Sequence, residues 1–124
     1  MNIRFNGTDL WISSVEALSG ILDGYIHEPQ FELWISMPDE GAALSMLRNG
    51  DQAWLMYLSF HGDRGVVTKG DQSKQGTYTY TLSNGQIDEY PLSWCIDLKQ
   101  CYEAFAYFFV NDGARYDGVE WQIA

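Results

Sequence analysis

Cations are scarce in this chain: seven Lys and Arg stand against seventeen Asp and Glu, a formal net charge of −10. So few cations cannot easily build a phosphate-neutralising face, which disfavours nucleic acid and anionic membrane as direct partners. Two readings of the acidity remain, a basic partner or solubility alone. Cysteine is scarcer still. Cys95 and Cys101 have no histidine near them, so neither a zinc pattern nor a disulfide framework can be drawn, and both read as reduced, half-buried apolar residues. No segment approaches the roughly 20 apolar residues needed to span a bilayer. The start, "MNIRFNGTDLWISSVEAL", has no basic stretch leading into a continuous apolar run, and a cytoplasmic protein is the expectation. Prolines are few (Pro29, Pro38, Pro91), and each falls where one element should give way to another. With no repeat, low-complexity tract or linker, residues 1–124 read as a single domain.

What the chain does hold is apolar and aromatic. Hydrophobic residues make up 46% and aromatics 15%, which excludes a disordered chain despite the charge. A first strand is expected at Asn2–Phe5. Ser13 with Glu16 three residues on then has the form of a capping box, opening a helix over about residues 14–23 that Gly24 ends. Val15, Leu18, Ile21 and Leu22 would be its buried stripe. From Phe31 the period becomes two: Phe31, Leu33, Ile35 and Met37 share one face, while Glu32, Trp34 and Ser36 share the other. Ala43–Arg48 and Gln52–Phe60 pair around "NGD" (49–51), where Asn-Gly supplies the positive φ angles of a tight hairpin.

The polar stretch 61–76 holds a short strand at Val66–Lys69. "TYTYTL" (77–82) puts its tyrosines on one face, and "SNGQ" turns the chain into a strand at 87–90 or, after Pro91, at Ser93–Ile96. Asp97 and Gln100 form a second capping-box pattern, opening a helix over about residues 98–111 whose apolar side is Leu98, Cys101, Phe105, Phe108 and Phe109. Gly113 stops it, and Val119–Ile123 supplies a last strand. The fold class is α+β: an antiparallel sheet of about five or six strands with both helices packed on one face.

No constellation for catalysis emerges. His61 beside Asp63 could act as a base, but no Ser or Cys in a strained elbow accompanies it, and a loop histidine in water is the plainer reading. "HGDRGVVTKG" lacks the spacing of a phosphate loop, and two distant histidines with scattered Asp give no metal motif. Neither a catalytic residue, a metal nor a cofactor is assigned, so binding is the leading function class. Tyr57, Tyr78, Tyr80 and Tyr90 beside acidic loops suit an interface of aromatic anchors and carboxylates. Tyr78 and Tyr80 suit equally a sheet face covered by the helices. The acidic loop residues Asp39, Glu40, Asp63, Asp71, Asp88 and Glu89 serve either that interface or a solvated surface.

The segment Asp97–Ala124 carries a more specific signal. Its helix "EAFAYFF" (Glu103–Phe109), followed by Gly113, Arg115, Val119, Glu120 and Trp121 in a gapped ending, resembles the C-terminal signature of immunity protein family one of bacterial polymorphic toxin systems. The early helix and the segments "FELWISM", "WLMYLSF" and "GVVTKGD" fall in the same order as in that family. One departure is Tyr116, where the family commonly has proline after the arginine, which leaves the geometry of that turn open. The resemblance implies an antitoxin encoded beside a secreted toxin, often of the nucleic-acid deaminase superfamily, which it binds and blocks to protect the producing cell and its kin.

The motif residues Gly113, Arg115, Val119, Glu120 and Trp121 are read as structural. The toxin-facing surface is therefore sought in the loops at 61–74 and 86–90, with Asp63, Arg64, Lys69, Asp71, Asp88, Glu89 and Tyr90 as its residues. A basic, nucleic-acid-acting toxin domain would complement the charge, with no direct contact to nucleic acid or membrane and no catalysis by the antitoxin. Two other classes stay open: an acidic interaction or regulatory module without a toxin, and a small hydrolase using His61.

Overall fold

Opposite sides of one strand set the two faces of the molecule, because Phe31, Leu33 and Ile35 are buried on one side while Glu32, Trp34 and Ser36 alternate with them on the other. The computed structural model describes residues 1–124. Its main sheet joins β1 (Asn2–Phe5), β2 (Thr8–Trp11), β3 (Gln30–Ser36), β4 (Ala43–Asn49), β5 (Gln52–Leu58), β6 (Val66–Thr68) and β9 (Trp121–Gln122). Their order is β2-β1-β3-β4-β5-β6-β9, antiparallel throughout. A separate antiparallel pair, β7 (Thr77–Thr81) and β8 (Ile87–Pro91), follows, with a short 3-10 turn at Leu92–Trp94.

The sheet is wider than the sequence reading allowed, chiefly through β2. All four of its residues are exposed, so no alternation announces it. What makes it is a second-residue detail of the chain's start: Asn6 and Gly7 both take positive φ (48° and 85°), and Phe5 faces Thr8 across a two-residue hairpin loop. In the β4–β5 hairpin, by contrast, Gly50 alone has positive φ and Asn49 ends the strand, facing Gln52. The closing strand also differs. It is only Trp121–Gln122, because β6 offers just Val67 and Thr68 as partners, and Ile123 lies 86% exposed beyond it.

Both helices cover one face, as expected. α1 (Val15–Tyr25) places Leu18 and Leu22, and α2 (Leu98–Val110) places Cys101, Ala104, Phe105 and Phe108, against Ile3, Leu33, Ile35, Leu44, Met46 and Leu55. The cap of α1 is Ser14 rather than Ser13. Ala17 N donates to Ser14 Oγ at 3.1 Å, since Ala17 is the third helical residue after Ser14. For α2 the reciprocal arrangement holds as read, with Asp97 N donating to Gln100 Oε1 at 3.3 Å. Gly24 stays inside α1 and does not end it.

What meets the end of α1 is Arg48 on β4, a cation only 8% exposed. Its guanidinium donates to the carbonyls of Ile26 at 2.8 Å, Gly50 at 2.9 Å and Tyr25 at 3.4 Å, and lies 5.8 Å from the Phe31 ring. Unpaired carbonyls at a helix C-terminus carry partial negative charge, so they can satisfy a buried cation without a carboxylate. Phe5, Tyr25 and Phe31 pack in the same region, the first two stacked 3.9 Å apart.

Part of the opposite face is covered by the β7–β8 hairpin. Tyr80 is buried with Leu47, Trp54 and Val67, its hydroxyl 3.3 Å from Cys95 Sγ. Trp54 is boxed by Tyr90 and Trp94 at 4.7 and 5.1 Å between ring centres, and its indole N–H has no hydrogen-bond partner. The tyrosines of β7 thus share a face, but one turned toward the side of the sheet away from the helices. Glu32 latches this hairpin: its carboxylate accepts from Ser83 N at 2.9 Å, Ser83 Oγ at 2.7 Å and Trp34 Nε1 at 3.1 Å. Burial opposes ionisation of Glu32, yet those hydrogen bonds outweigh it and hold the carboxyl below its ordinary value.

Two expectations follow from these contacts. Arg48→Ala removes the charged donor from the Ile26 and Gly50 carbonyls, leaving Tyr25 O only its bond from Glu28 N, and is expected to cost about 2 kcal/mol in urea unfolding; a loss under about 1 kcal/mol would show that the guanidinium does not hold the helix end. For Glu32, the depressed value means its stabilisation is present above the usual carboxylate range and is lost as pH falls through the folded value. Acid should therefore loosen the hairpin, seen as a change in Trp fluorescence, and Glu32→Gln should flatten that pH dependence; an unaltered profile would refute the latch.

Candidate functional site

The C-terminal motif is assembled around a helix stop. Gly113 N donates to Phe108 O at 2.8 Å and Asn111 N to Tyr107 O at 2.9 Å, closing α2 in a six-to-one loop. The left-handed position is taken by Asp112 (φ 51°), and Gly113 follows it at φ 87°. Gly113 is buried, and a Cβ on it would lie 2.6 Å from Met37 Cγ. Its carbonyl accepts from Tyr57 Oη at 2.6 Å, tying the stop to β5.

From there the chain returns through Tyr116, whose hydroxyl donates to Glu103 at 2.8 Å and whose carbonyl accepts from Trp121 Nε1 at 2.8 Å. Tyr116 therefore closes by hydrogen bonds the turn that a proline would close by ring constraint. Trp121 packs edge-on to Tyr57, and Arg115 lies over its outer face at 5.9 Å. Lys69 N donates to Glu120 O at 2.9 Å, so the backbone of Glu120 extends the β6–β9 pairing while its side chain is exposed. Gly113, Arg115, Glu120 and Trp121 thus take part in the closure of the chain, Glu120 through its backbone alone, and Val119 is half-buried beside Arg115 and Trp121.

The loop residues singled out from sequence do not gather at one place. Lys69 and Asp71 line a cleft of about 700 Å³ with Asp51, Asp97, Asp117 and Glu120. Sequence spacing gave no sign that these four carboxylates would join them. Asp71 is fixed by accepting from Ser73 N and Oγ at 2.9 and 2.6 Å, which draws its carboxyl below the ordinary value. Asp88, Glu89 and Tyr90 lie on β8. There Tyr90 is half-buried over Trp54, and its hydroxyl donates to Asp88 at 3.0 Å, while Glu89 is exposed and accepts from Thr77 at 3.2 Å. Arg64 is exposed in the loop before β6.

Asp63 stands elsewhere again, at the rim of a groove of about 530 Å³ on the hairpin side of the sheet. Its carboxylate accepts from Ser59 N at 2.8 Å, and hydrogen bonds from that N–H and the Gly65 N–H hold its carboxyl below the usual range. His61 and Glu40 share the groove, and His61 N donates to Glu40 O at 3.0 Å. Strand register explains why this groove is open. Trp11, Asn2, Ser36, Ala43 and Leu58 form one row across β2, β1, β3, β4 and β5, and Asp9, Arg4 and Trp34 begin the next. The hairpin covers Leu47 and Trp54 one row further on, reaches Met56 and Val67 at the far end of the Trp34 row, and leaves the row from Trp11 to Leu58 open. Trp34 had been visible in the sequence as the one large aromatic on the polar face of its strand.

A family comparison bears directly on the motif just described. The model of the family described as Immunity protein Imm1 matches residues 9–123. The chain belongs to this immunity protein family. It is therefore an antitoxin, whose role is to bind a cognate toxin. No individual curated protein matches the chain. The match runs from β2 to the residue after β9, so it spans both helices, the whole hairpin and all but the first strand of the sheet.

The immunity protein's Gly113 offers a direct check on the structural reading of its motif. Gly113→Ala places a Cβ against Met37 in a left-handed backbone conformation and is expected to destabilise by about 1–3 kcal/mol. Thermal melting that leaves Tm unchanged would remove Gly113 from the closure.

Proposed function

We propose that this immunity protein is a non-catalytic inhibitor acting in the cytoplasm, and that its toxin is a basic, nucleic-acid-acting domain of the deaminase class. The observation that carries the reading is the family match over residues 9–123 in a chain of net charge −10. A toxin that handles DNA or RNA needs a cationic groove for phosphates, and an acidic domain can occupy such a groove by charge complementarity. A zinc deaminase must also admit the target base to a buried metal-bound water, so a protein seated over the pocket mouth suffices to inhibit it. Inhibition then needs no chemistry from His61 or any other side chain of the antitoxin.

The segments 61–74 and 86–90 are proposed to face the toxin, with Asp63, Arg64, Lys69, Asp71, Asp88, Glu89 and Tyr90 among the residues near it. Charge here chiefly speeds encounter, while aromatic and backbone contacts hold the complex. Because Asp63, Asp71 and Asp88 each accept hydrogen bonds, reversing their charge would break local turns as well. The fitting variant is Asp63→Asn, Asp71→Asn, Asp88→Asn and Glu89→Gln together, which removes four negative charges but keeps one acceptor oxygen at each position. Association with the toxin domain encoded by the adjacent gene is expected to slow about tenfold at low ionic strength and to lose much of its salt dependence. An unchanged rate and salt slope would sink this placement.

A further inference from the structure

We propose that the uncovered groove on the hairpin side of the sheet is the anchoring pocket for the toxin, and that what enters it is a basic side chain, arginine or lysine, projecting from the toxin surface. The inference rests on the antitoxin reading and adds to it the location of the anchor and the chemistry of its occupant.

Shape is the first argument. Ser36 and Ala43, small residues in adjacent strands, leave a low floor, while Trp34, Leu58 and Phe60 rise around it. Trp11 borders the same row through its pairing with Asn2. Phe60 is 56% and Trp11 65% exposed, although both could have been polar at no cost to the core. Large aromatics concentrated around one concavity are the composition of a protein-binding hot spot.

Charge is the second, and it selects the occupant. Arg4 is already neutralised by Asp9 at 2.9 Å, an ion pair whose hydrogen bonds, with one from Asn2, bring the Asp9 carboxyl down to about 2. Glu40 and Asp63 have no cation partner, so the free charge of the groove is negative. An apolar or acidic occupant would strip water from these carboxylates without replacing it. A guanidinium or ammonium group satisfies them and can lie against an aromatic wall at the same time. A second copy of this chain is a poor occupant, since each brings a net charge of −10. The acidic cleft has unpaired carboxylates too, but no aromatic ring lines it, so it lacks this combination.

Backbone strain is the third argument. Between β3 and β4, Asp39 and Glu40 take φ of 58° and 59°, and Gly41 N donates to Pro38 O at 3.2 Å. Such a turn favours Asn-Gly, and a glutamate in its second left-handed position is costly. The Glu40 side chain makes no hydrogen bond or ion pair in return, so the fold gains nothing visible from it. A residue held against its local preference at the lip of a groove is explained by what the groove receives.

The test measures calorimetric affinity of the inactivated toxin domain from the adjacent gene for four variants. Glu40→Gln with Asp63→Asn neutralises the rim, Phe60→Ala removes aromatic wall, and Asp117→Asn with Glu120→Gln alters only the cleft. Both groove variants should bind at least about tenfold more weakly and the cleft variant should stay within about twofold. Glu40→Gly should also bind more weakly while melting at a higher temperature than the parent. A lowered Tm for Glu40→Gly would show that the turn serves the fold. If the parent binds the toxin but the groove variants bind equally well, the pocket is misplaced and the antitoxin reading survives. Loss of binding only in the aromatic variant would overturn the basic occupant, and a parent dimer that this variant splits would make the groove a self-interface. A parent that neither binds the domain nor protects cells from it would remove the reading beneath the proposal.

Discussion

Arg48 is a charge that an acidic protein keeps inside, and the arrangement of both layers follows from where its guanidinium points. It has no carboxylate partner. Instead it takes the open carbonyls at the end of α1 and the Gly50 carbonyl of the β4–β5 turn, so the helix end and the sheet end are fixed to one donor group. Tyr102 of α2 stands 3.5 Å from the same guanidinium, which brings the second helix to this point as well. Because the donors serve carbonyls, the contact is insensitive to the titration of any acid. That suits a chain in which carboxylates outnumber cations and are needed at the surface.

Fixing both helices on one face leaves the other face to be covered by what remains of the chain. A two-stranded hairpin cannot span a seven-stranded sheet, and Glu32 decides where it sits by accepting from the Ser83 turn. The covered region is the part with Leu47, Trp54 and Val67; the bare region lies toward β1 and β2 and the far ends of β3 to β5. The groove is thus a by-product of unequal coverage. It exists because Glu32, together with Gln30 and Asn49, holds the hairpin at one end of the sheet.

Local signals in the sequence carried the elements that local chemistry decides. The Asp97–Gln100 cap, the period-two alternation of β3 and the one-sided helical layer were all legible, since each depends on residues within a few positions or on a single apolar stripe. Ser14 displaced Ser13 because two adjacent serines compete and only the helix start chooses between them. β2 was hidden because an edge strand with four exposed residues has no pattern, although Asn6-Gly7 was there to suggest the turn. Alternation in "TYTYTL" told which side chains share a face. It could not tell which face of which sheet they meet, because that depends on Glu32 and Ser83, some fifty residues apart in the chain.

The candidate sites were less legible for a related reason. Acidic loop residues look alike in sequence, yet the fold sends Asp71 to a cleft, Asp63 to a groove and Glu89 to the outside of a hairpin. The terminal motif was the easiest to find because closure demands specific residues: Gly113 beneath Met37, Tyr57 on its carbonyl, and Trp121 on the carbonyl of Tyr116. Those demands do not involve a partner. A surface that must match one toxin is under the opposite constraint, since its side chains can change without breaking the closure. Long-range attraction from the net charge draws any basic protein toward the molecule, and screening limits it to about a Debye length. Discrimination among basic proteins therefore has to come from short-range fit, and in this fold the proposed groove is where unpaired carboxylates and exposed aromatic rings occur together.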